Sequence, residues 1–266
     1  MKVSGKVIVV VGGGNGIGRQ VVLELLRRGA RVAAVDVRQE GLDETVELGA
    51  AGERLATFRC DITDRAAVET LVDQVGATLG EVDGLINVAG IIQPFVRLAD
   101  LDYDAIERVI DVNLYGTLYT VKAFLPHLLE RPVAHIANVS SMGAFLPVPG
   151  QTIYGASKAA VKLMTEGLYA ELRDTAVGVS LVLPGAVRTD ITTNSGIDLP
   201  GSSGDAPSFP TTEPDAAARI IVDGIESDRF HIYVGRDSRL MNLFNRLAPR
   251  RSTHLIQRQM KQLLDA

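Results

Sequence analysis

The chain of 266 residues has a single cysteine, Cys60, so no intrachain disulfide can form, and a reducing compartment is the simpler expectation. Cysteine-rich zinc chemistry is excluded with it. The four histidines, His127, His135, His231 and His254, lack metal-ligand spacing, so they are expected to be structural or exposed and no metal is expected. No apolar run approaches the ~18 residues of a membrane span. The start, Met1-Lys2-Val3 followed by a short apolar strand and glycines, has no signal-peptide organisation, so a cytoplasmic protein is expected. A positive surplus is also missing. The net charge of −5 gives nucleic acid no general electrostatic reason to bind, and none is expected as a partner. No internal repeat is evident.

What is present is ample apolar material, 46% of residues, enough for one large core. Short β-branched runs alternate with segments of helical periodicity, the pattern of βαβ units around a parallel sheet. Seven strands are expected, near Lys6 to Val11, Arg31 to Asp36, Arg54 to Cys60, Gly84 to Val88, His135 to Ser140, Gly178 to Val182 and His231 to Val234. The fold class that follows is α/β, a single-domain Rossmann-like doubly wound parallel sheet over 1–236, with an extra helical tail over 237–266. Residues 192–212, rich in glycine and proline, read as a loop closing over a substrate.

Residues 11 to 18, Val-Gly-Gly-Gly-Asn-Gly-Ile-Gly, stand between the first strand and an amphipathic stretch. Gly12 permits a tight turn, Gly16 a close approach of backbone to a pyrophosphate, and Gly18 close packing of helix on sheet. With Asn15 and Ile17, these residues open a helix whose N-terminal N–H groups suit phosphate. The spacing departs from G-x-G-x-x-G, and a purely structural glycine turn is the alternative. Asp36 ends the second strand, where a carboxylate accepts ribose hydroxyls and repels a 2′-phosphate, with Val37 beside it. That favours NAD over NADP. A turn-capping Asp explains the residue equally well, and Arg38 could accommodate a phosphate.

Tyr154 and Lys158 open a helical run, four residues apart and so on one face. A nearby ammonium favours phenolate and lowers the phenol pKa from about 10, which would let Tyr154 exchange a proton with an alcohol or ketone oxygen. A Tyr-x-x-x-Lys pair on a helix is common without function. Here, however, Ser141 ends the fifth strand and Asn113 lies in the helix before it, so these groups should share the carboxyl edge of the sheet with the glycine turn.

Together these motifs resemble the short-chain dehydrogenase/reductase family over residues 4 to 235. The resemblance implies that Gly12, Gly16 and Gly18 are cofactor glycines. It further implies that Asp61, followed by Ile62, contacts adenine, and that Asn87, Ala89 and Gly90 form the strand-four motif. In the segment Pro184-Gly185-Ala186-Val187-Arg188-Thr189, Val187 and Thr189 would hold the nicotinamide carboxamide. Asn113, Ser141, Tyr154 and Lys158 would be the catalytic tetrad. Tyr154 would act as general acid or base, Lys158 would hold the ribose and stabilise phenolate, Ser141 would donate to the substrate oxygen, and Asn113 would hold a water. Val11 and Val88 depart from the family's frequent Thr and Asn.

The implied activity is hydride transfer between NAD(H) and a secondary alcohol or ketone, with a moderately lipophilic substrate suggested by Phe95, Leu146, Val148, Ile153 and Ile191. A 3-oxoacyl or small-diketone reductase is an alternative, as is a non-catalytic dinucleotide-binding module. Family members are commonly dimers or tetramers, so a homo-oligomer is expected. The tail differs in charge from the rest: residues 228–266 carry +5 and the preceding residues −10. Leu240, Leu243, Phe244 and Leu247, then Ile256, Met260, Leu263 and Leu264, recur at helical spacing, predicting two amphipathic helices. These would pack on the domain or a sister subunit, contact a membrane surface, or cap the substrate pocket.

Overall fold

The computed structural model describes residues 1–188, 191–197 and 211–260. Seven strands form one parallel sheet: β1 (Val7–Val11), β2 (Arg31–Asp36), β3 (Leu55–Arg59), β4 (Gly84–Asn87), β5 (Ala134–Val139), β6 (Val177–Pro184) and β7 (His231–Val234). Their spatial order is β3-β2-β1-β4-β5-β6-β7. The order reverses between β1 and β4, and such a switch point leaves a crevice at the carboxyl ends of the strands.

The apolar run of β1 has a simple cause, because both faces of the sheet are covered. Val7, Val9 and Val11 pack with Leu71 and Val75 of α3 (Arg65–Leu79), Phe124 and Leu128 of α5 (Thr117–Leu129), and Leu168 of α6 (Thr152–Glu171). Ile8 and Val10 face Val21 and Leu25 of α1 (Gly16–Arg27) and Ile221 and Ile225 of α8 (Pro214–Glu226). The remaining helices of this sheet domain are α2 (Gln39–Gly49), α4 (Tyr103–Ile110) and the single turn α7 (Ile191–Asn194).

The expected strands are present within a residue or two, with β6 running on through Leu183 and Pro184. Two local features were not anticipated. Between α4 and α5 the backbone widens into a π-helical turn, Asp111–Gly116. The expected loop begins with α7, while its residues 198–210 lie outside the described residues.

The tail forms two helices, α9 (Arg236–Leu247) and α10 (Pro249–Met260). Leu263 and Leu264 lie outside the described residues. The expected boundary after residue 236 falls inside α9, and that helix turns polar residues to the domain and leucines outward. Ser238 and Asn242 are buried, donating to Leu183 O at 2.7 Å and to the Tyr233 hydroxyl at 2.7 Å. Leu240, Leu243 and Leu247 face outward.

Candidate active site

The turn after β1 leaves little room for side chains. Gly12 has a φ of +84°, and a Cβ there would lie 2.7 Å from the Ala89 nitrogen; at Gly18 it would collide with the Gly12 carbonyl. Both positions require glycine. The N–H groups of Gly12 and Gly13 bond to Val35 O at 2.7 and 2.9 Å. From outside, Arg19 donates to Gly14 O, and the buried Thr45 hydroxyl donates to Gly13 O at 3.0 Å. The first turn of α1 carries no acidic residue, so its dipole is free to meet an anion.

This turn floors a cleft of about 660 Å³ lined by Asn15, Gly16, Ile17, Asp36, Val37 and Arg38, with Asp61, Ile62, Ala89, Gly90 and Ile191 further along. Asp36 caps the turns on either side of it. Its carboxylate accepts Gly14 N–H at 2.9 Å and Arg38 N–H at 3.1 Å, and it still borders the cleft. Asp61 accepts Thr63 N–H at 2.9 Å. Asp104, Glu107, Arg108 and Asp111, from α4 and the π-helical turn, complete a wall that the sequence did not reveal as part of the site. Cys60 also borders the cleft, and burial pushes its thiol up to about 11, keeping it protonated.

In the strand-four motif the side chains part company. The Asn87 side chain is buried, donating to Asn138 Oδ1 at 2.9 Å and accepting from the Thr120 hydroxyl at 2.9 Å. Asn138 in turn donates to Thr165 at 3.0 Å. A buried amide must spend its hydrogen-bonding capacity on neighbours, so Asn87 ties β4 to β5 and α5 instead of lining the cleft. Val88, Ala89 and Gly90 line it.

At the carboxyl edge of β5 the four expected catalytic residues converge. Ser141 Oγ and the Tyr154 ring both lie within 3.4 Å of the Cβ position at Gly143, and Ser141 Oγ accepts Gly143 N–H at 3.0 Å. Lys158 Nζ and Asn113 Oδ1 flank the Cβ position at Gly90, at 2.8 and 3.2 Å. Lys158 is buried and donates to Val139 O at 3.1 Å. Burial alone pushes its ammonium down to about 8. Burial likewise raises the Tyr154 phenol, Ser141 opposing it. Lys158 contributes no lowering against that burial, and the phenol holds its proton at neutral pH.

Asn113 is a brace. Its amide donates to Ile91 O at 2.9 Å and Ser157 Oγ at 3.0 Å, while its oxygen accepts Ile91 N–H at 2.8 Å. Both amide hydrogens are therefore taken, leaving a water only the oxygen's spare lone pair. Ser195 makes a second tie: its hydroxyl accepts Ile92 N–H at 3.0 Å, joining the end of α7 to the segment after β4.

Gln93 went unnoticed in the sequence, because a glutamine in a loop carries no distinctive signal. It is fully buried, and its Oε1 accepts the N–H groups of Ile153 and Tyr154 at 2.7 and 3.0 Å. That oxygen satisfies the start of α6 where the helix itself offers no acceptor. Gln151 Nε2 donates to Gln93 O at 2.7 Å.

After β6, Gly185 N–H bonds to Val234 O at 2.9 Å and Ala186 N–H to Asp237 Oδ2 at 2.9 Å. Val187 bridges to Thr212. Pro184, Gly185 and Val187 thus stand at the carboxyl edge of the sheet, and Thr189 lies outside the described residues. Among the expected pocket walls Leu146 is core, 1% exposed, and Ile191 borders the cleft.

A doubly wound parallel sheet with a phosphate-binding turn at its switch point defines a nucleotide-binding α/β protein. Residues 6–199 match the family model for short chain dehydrogenase. The chain is 36% identical to 1-deoxy-11-beta-hydroxypentalenate dehydrogenase of Streptomyces avermitilis, over 89% of this chain and 88% of the relative. Among solved structures, a short chain dehydrogenase of Burkholderia cenocepacia in complex with NADP has a TM-score of 0.81 at 28% identity, covering 96% of this chain and 99% of that one. A short chain dehydrogenase/reductase of Burkholderia phymatum in complex with NAD has a TM-score of 0.80 at 28% identity, covering 93% and 96%. The chain belongs to the short-chain dehydrogenase family and is an oxidoreductase.

Proposed function

We propose that the protein is an NAD-dependent dehydrogenase or ketone reductase acting on a moderately lipophilic secondary alcohol or its ketone, with Tyr154 as proton carrier. The observation that carries this reading is the meeting of Tyr154, Ser141, Lys158 and Asn113 at one strand edge, beside the cleft that starts at the glycine turn. The cleft fits a dinucleotide. Gly12 and Gly18 leave its floor bare, α1 points N–H groups into it, and Asp36 sits where an adenosine ribose would be held.

When bound, the nicotinamide ring supplies the hydride donor or acceptor. The chain's own groups manage the proton and the developing charge. In reduction, the protonated Tyr154 phenol gives its proton to the ketone oxygen, while Ser141 Oγ donates to the same oxygen as charge gathers there. In oxidation, the phenolate takes the alcohol's proton. Lys158, with an ammonium near neutrality's edge, stabilises that phenolate and holds the nicotinamide ribose hydroxyls. Gly185, Ala186 and Val187 form the strap at the carboxamide.

Asp36 favours NAD through its negative charge, which a 2′-phosphate would oppose. A lipophilic substrate draws support from the hydroxypentalenate in the Streptomyces relative's name. A homo-oligomer draws support from Tyr115 and Leu163, large apolar side chains exposed on the π-helical turn and α6.

Tyr154→Phe tests the reading, since it removes the proton and keeps the ring. NADH binding, followed by fluorescence, should persist while turnover of a responsive alcohol or ketone falls by about 10³-fold or more. Near-normal turnover would overturn the assignment.

A further inference from the structure

On α9 the polar face is the inner one and the apolar face is the outer one. Ser238 and Asn242 are 0% and 8% exposed, whereas Leu240, Leu243 and Leu247 are 66%, 57% and 77% exposed. At 100° per residue the three leucines share a stripe opposite Ser238 and Asn242, with Arg236 in the same row and Arg239 and Arg246 along one flank. Arg250, Arg251 and Arg258 continue the charge on α10, and all six arginines are exposed. None has an ion-pair partner among the described residues, and Asp237, the one acid in residues 236–260, is turned inward to Ala186 N–H.

We propose that this outer face of α9 and α10 docks on an anionic lipid surface. Leucines set among guanidinium groups satisfy both requirements of such a surface, insertion of apolar side chains at the acyl boundary and attraction to negative headgroups. A second copy of the chain suits the face poorly. A two-fold contact through this stripe sets arginine against arginine, and three leucines fall well short of the roughly 800 Å² per partner that a stable dimer buries.

Docking also has a geometric consequence for the site. Helix α9 starts at the carboxyl end of β7 and packs on the short turn Met142–Ala144 that follows Ser141. The docked face is therefore at the same end of the sheet as the crevice, and the crevice is held close to the lipid from which an apolar substrate would partition.

Flotation of the full chain with vesicles tests this. Vesicles of phosphatidylcholine alone are compared with vesicles containing phosphatidylglycerol, at low and high salt. Binding is expected only with phosphatidylglycerol, weakened by salt. The double variant Leu243→Glu, Leu247→Glu should lose about tenfold or more of the bound fraction with its circular dichroism and turnover unchanged. Leu48→Glu, at an equally exposed leucine on α2, should bind normally. A second variant, Arg239→Gln with Arg246→Gln, spares the stripe and should bind phosphatidylglycerol more weakly. Equal binding to both vesicle types, no binding to either, or a fall in oligomer mass by light scattering in the leucine variant would overturn the proposal, the last by assigning the stripe to a second copy.

Discussion

Gln93 Oε1 accepts the backbone N–H of Tyr154 at 3.0 Å, so a buried glutamine after β4 fixes the height at which the phenol leaves α6. The same oxygen takes Ile153 N–H at 2.7 Å. Gln93→Leu would leave both donors buried and unpaired. The expected loss is about 1–2 kcal/mol of stability, read as a lower Tm. Turnover should fall further than the stability loss explains, through kcat more than KM, because the ring is displaced. An unchanged kcat would show that Tyr154 holds its position without the cap.

Lys158 makes stability depend on pH. Its folded pKa of about 8 lies below its ordinary 10.5, so between those values the unfolded chain binds the proton more readily. Stability therefore rises with pH across that window, and below about 8 the buried cation opposes folding. Lys158→Met should raise the Tm at pH 7 by an amount equivalent to a few kcal/mol, with the advantage shrinking as pH approaches 10.5. Activity should be lost at every pH. Denaturation followed at several pH values checks both the sign and the window.

Asp36→Asn keeps an acceptor for Gly14 N–H and removes the charge. The ratio of kcat/KM for NAD over NADP should drop by about tenfold or more, chiefly through better use of NADP. A wild-type preference for NADP would show instead that Arg38, at the same cleft, dominates the ribose site.

Asp237→Ala withdraws the acceptor from Ala186 N–H. The segment after β6 is then held by Gly185 N–H and by the Val187–Thr212 bridge. The KM for the cofactor should rise several-fold while the Tm changes by a few degrees at most. An unaltered cofactor KM would mean that the bridge alone sets the strap.

The sheet was legible because burial on both faces writes itself into β1 as five consecutive valine or isoleucine residues. The Tyr154 and Lys158 pair was legible because helical spacing puts them on one face. The π-helical turn was not, since no spacing rule sets residues 111–116 apart from the α-helices on either side; Gly116 packs there on Ile62, where a Cβ would meet Ile62 Cδ1 at 2.6 Å. The partners of the Asn87 amide were not legible, because a motif gives a residue's position along a strand and not the side to which its amide turns. The facing of α9 was left open by the sequence, whose leucine spacing allowed packing on the domain, a sister subunit, a membrane surface or the substrate pocket. Ser238 and Asn242 have specific partners, Leu183 O and Tyr233, that outweigh the leucine pattern and cannot be seen from spacing. Gln93 and Ser195 act through single long-range bonds, which leave no periodic trace.

Asp237 and Ser238 follow every other described residue of the site in chain order, yet Asp237 holds the segment after β6 and Ser238 the end of β6 itself. A domain folds as a unit, and this one completes its site with residues that come after the last strand: a chain cut before Asp237 would keep every cleft residue and leave Ala186 N–H without its side-chain acceptor.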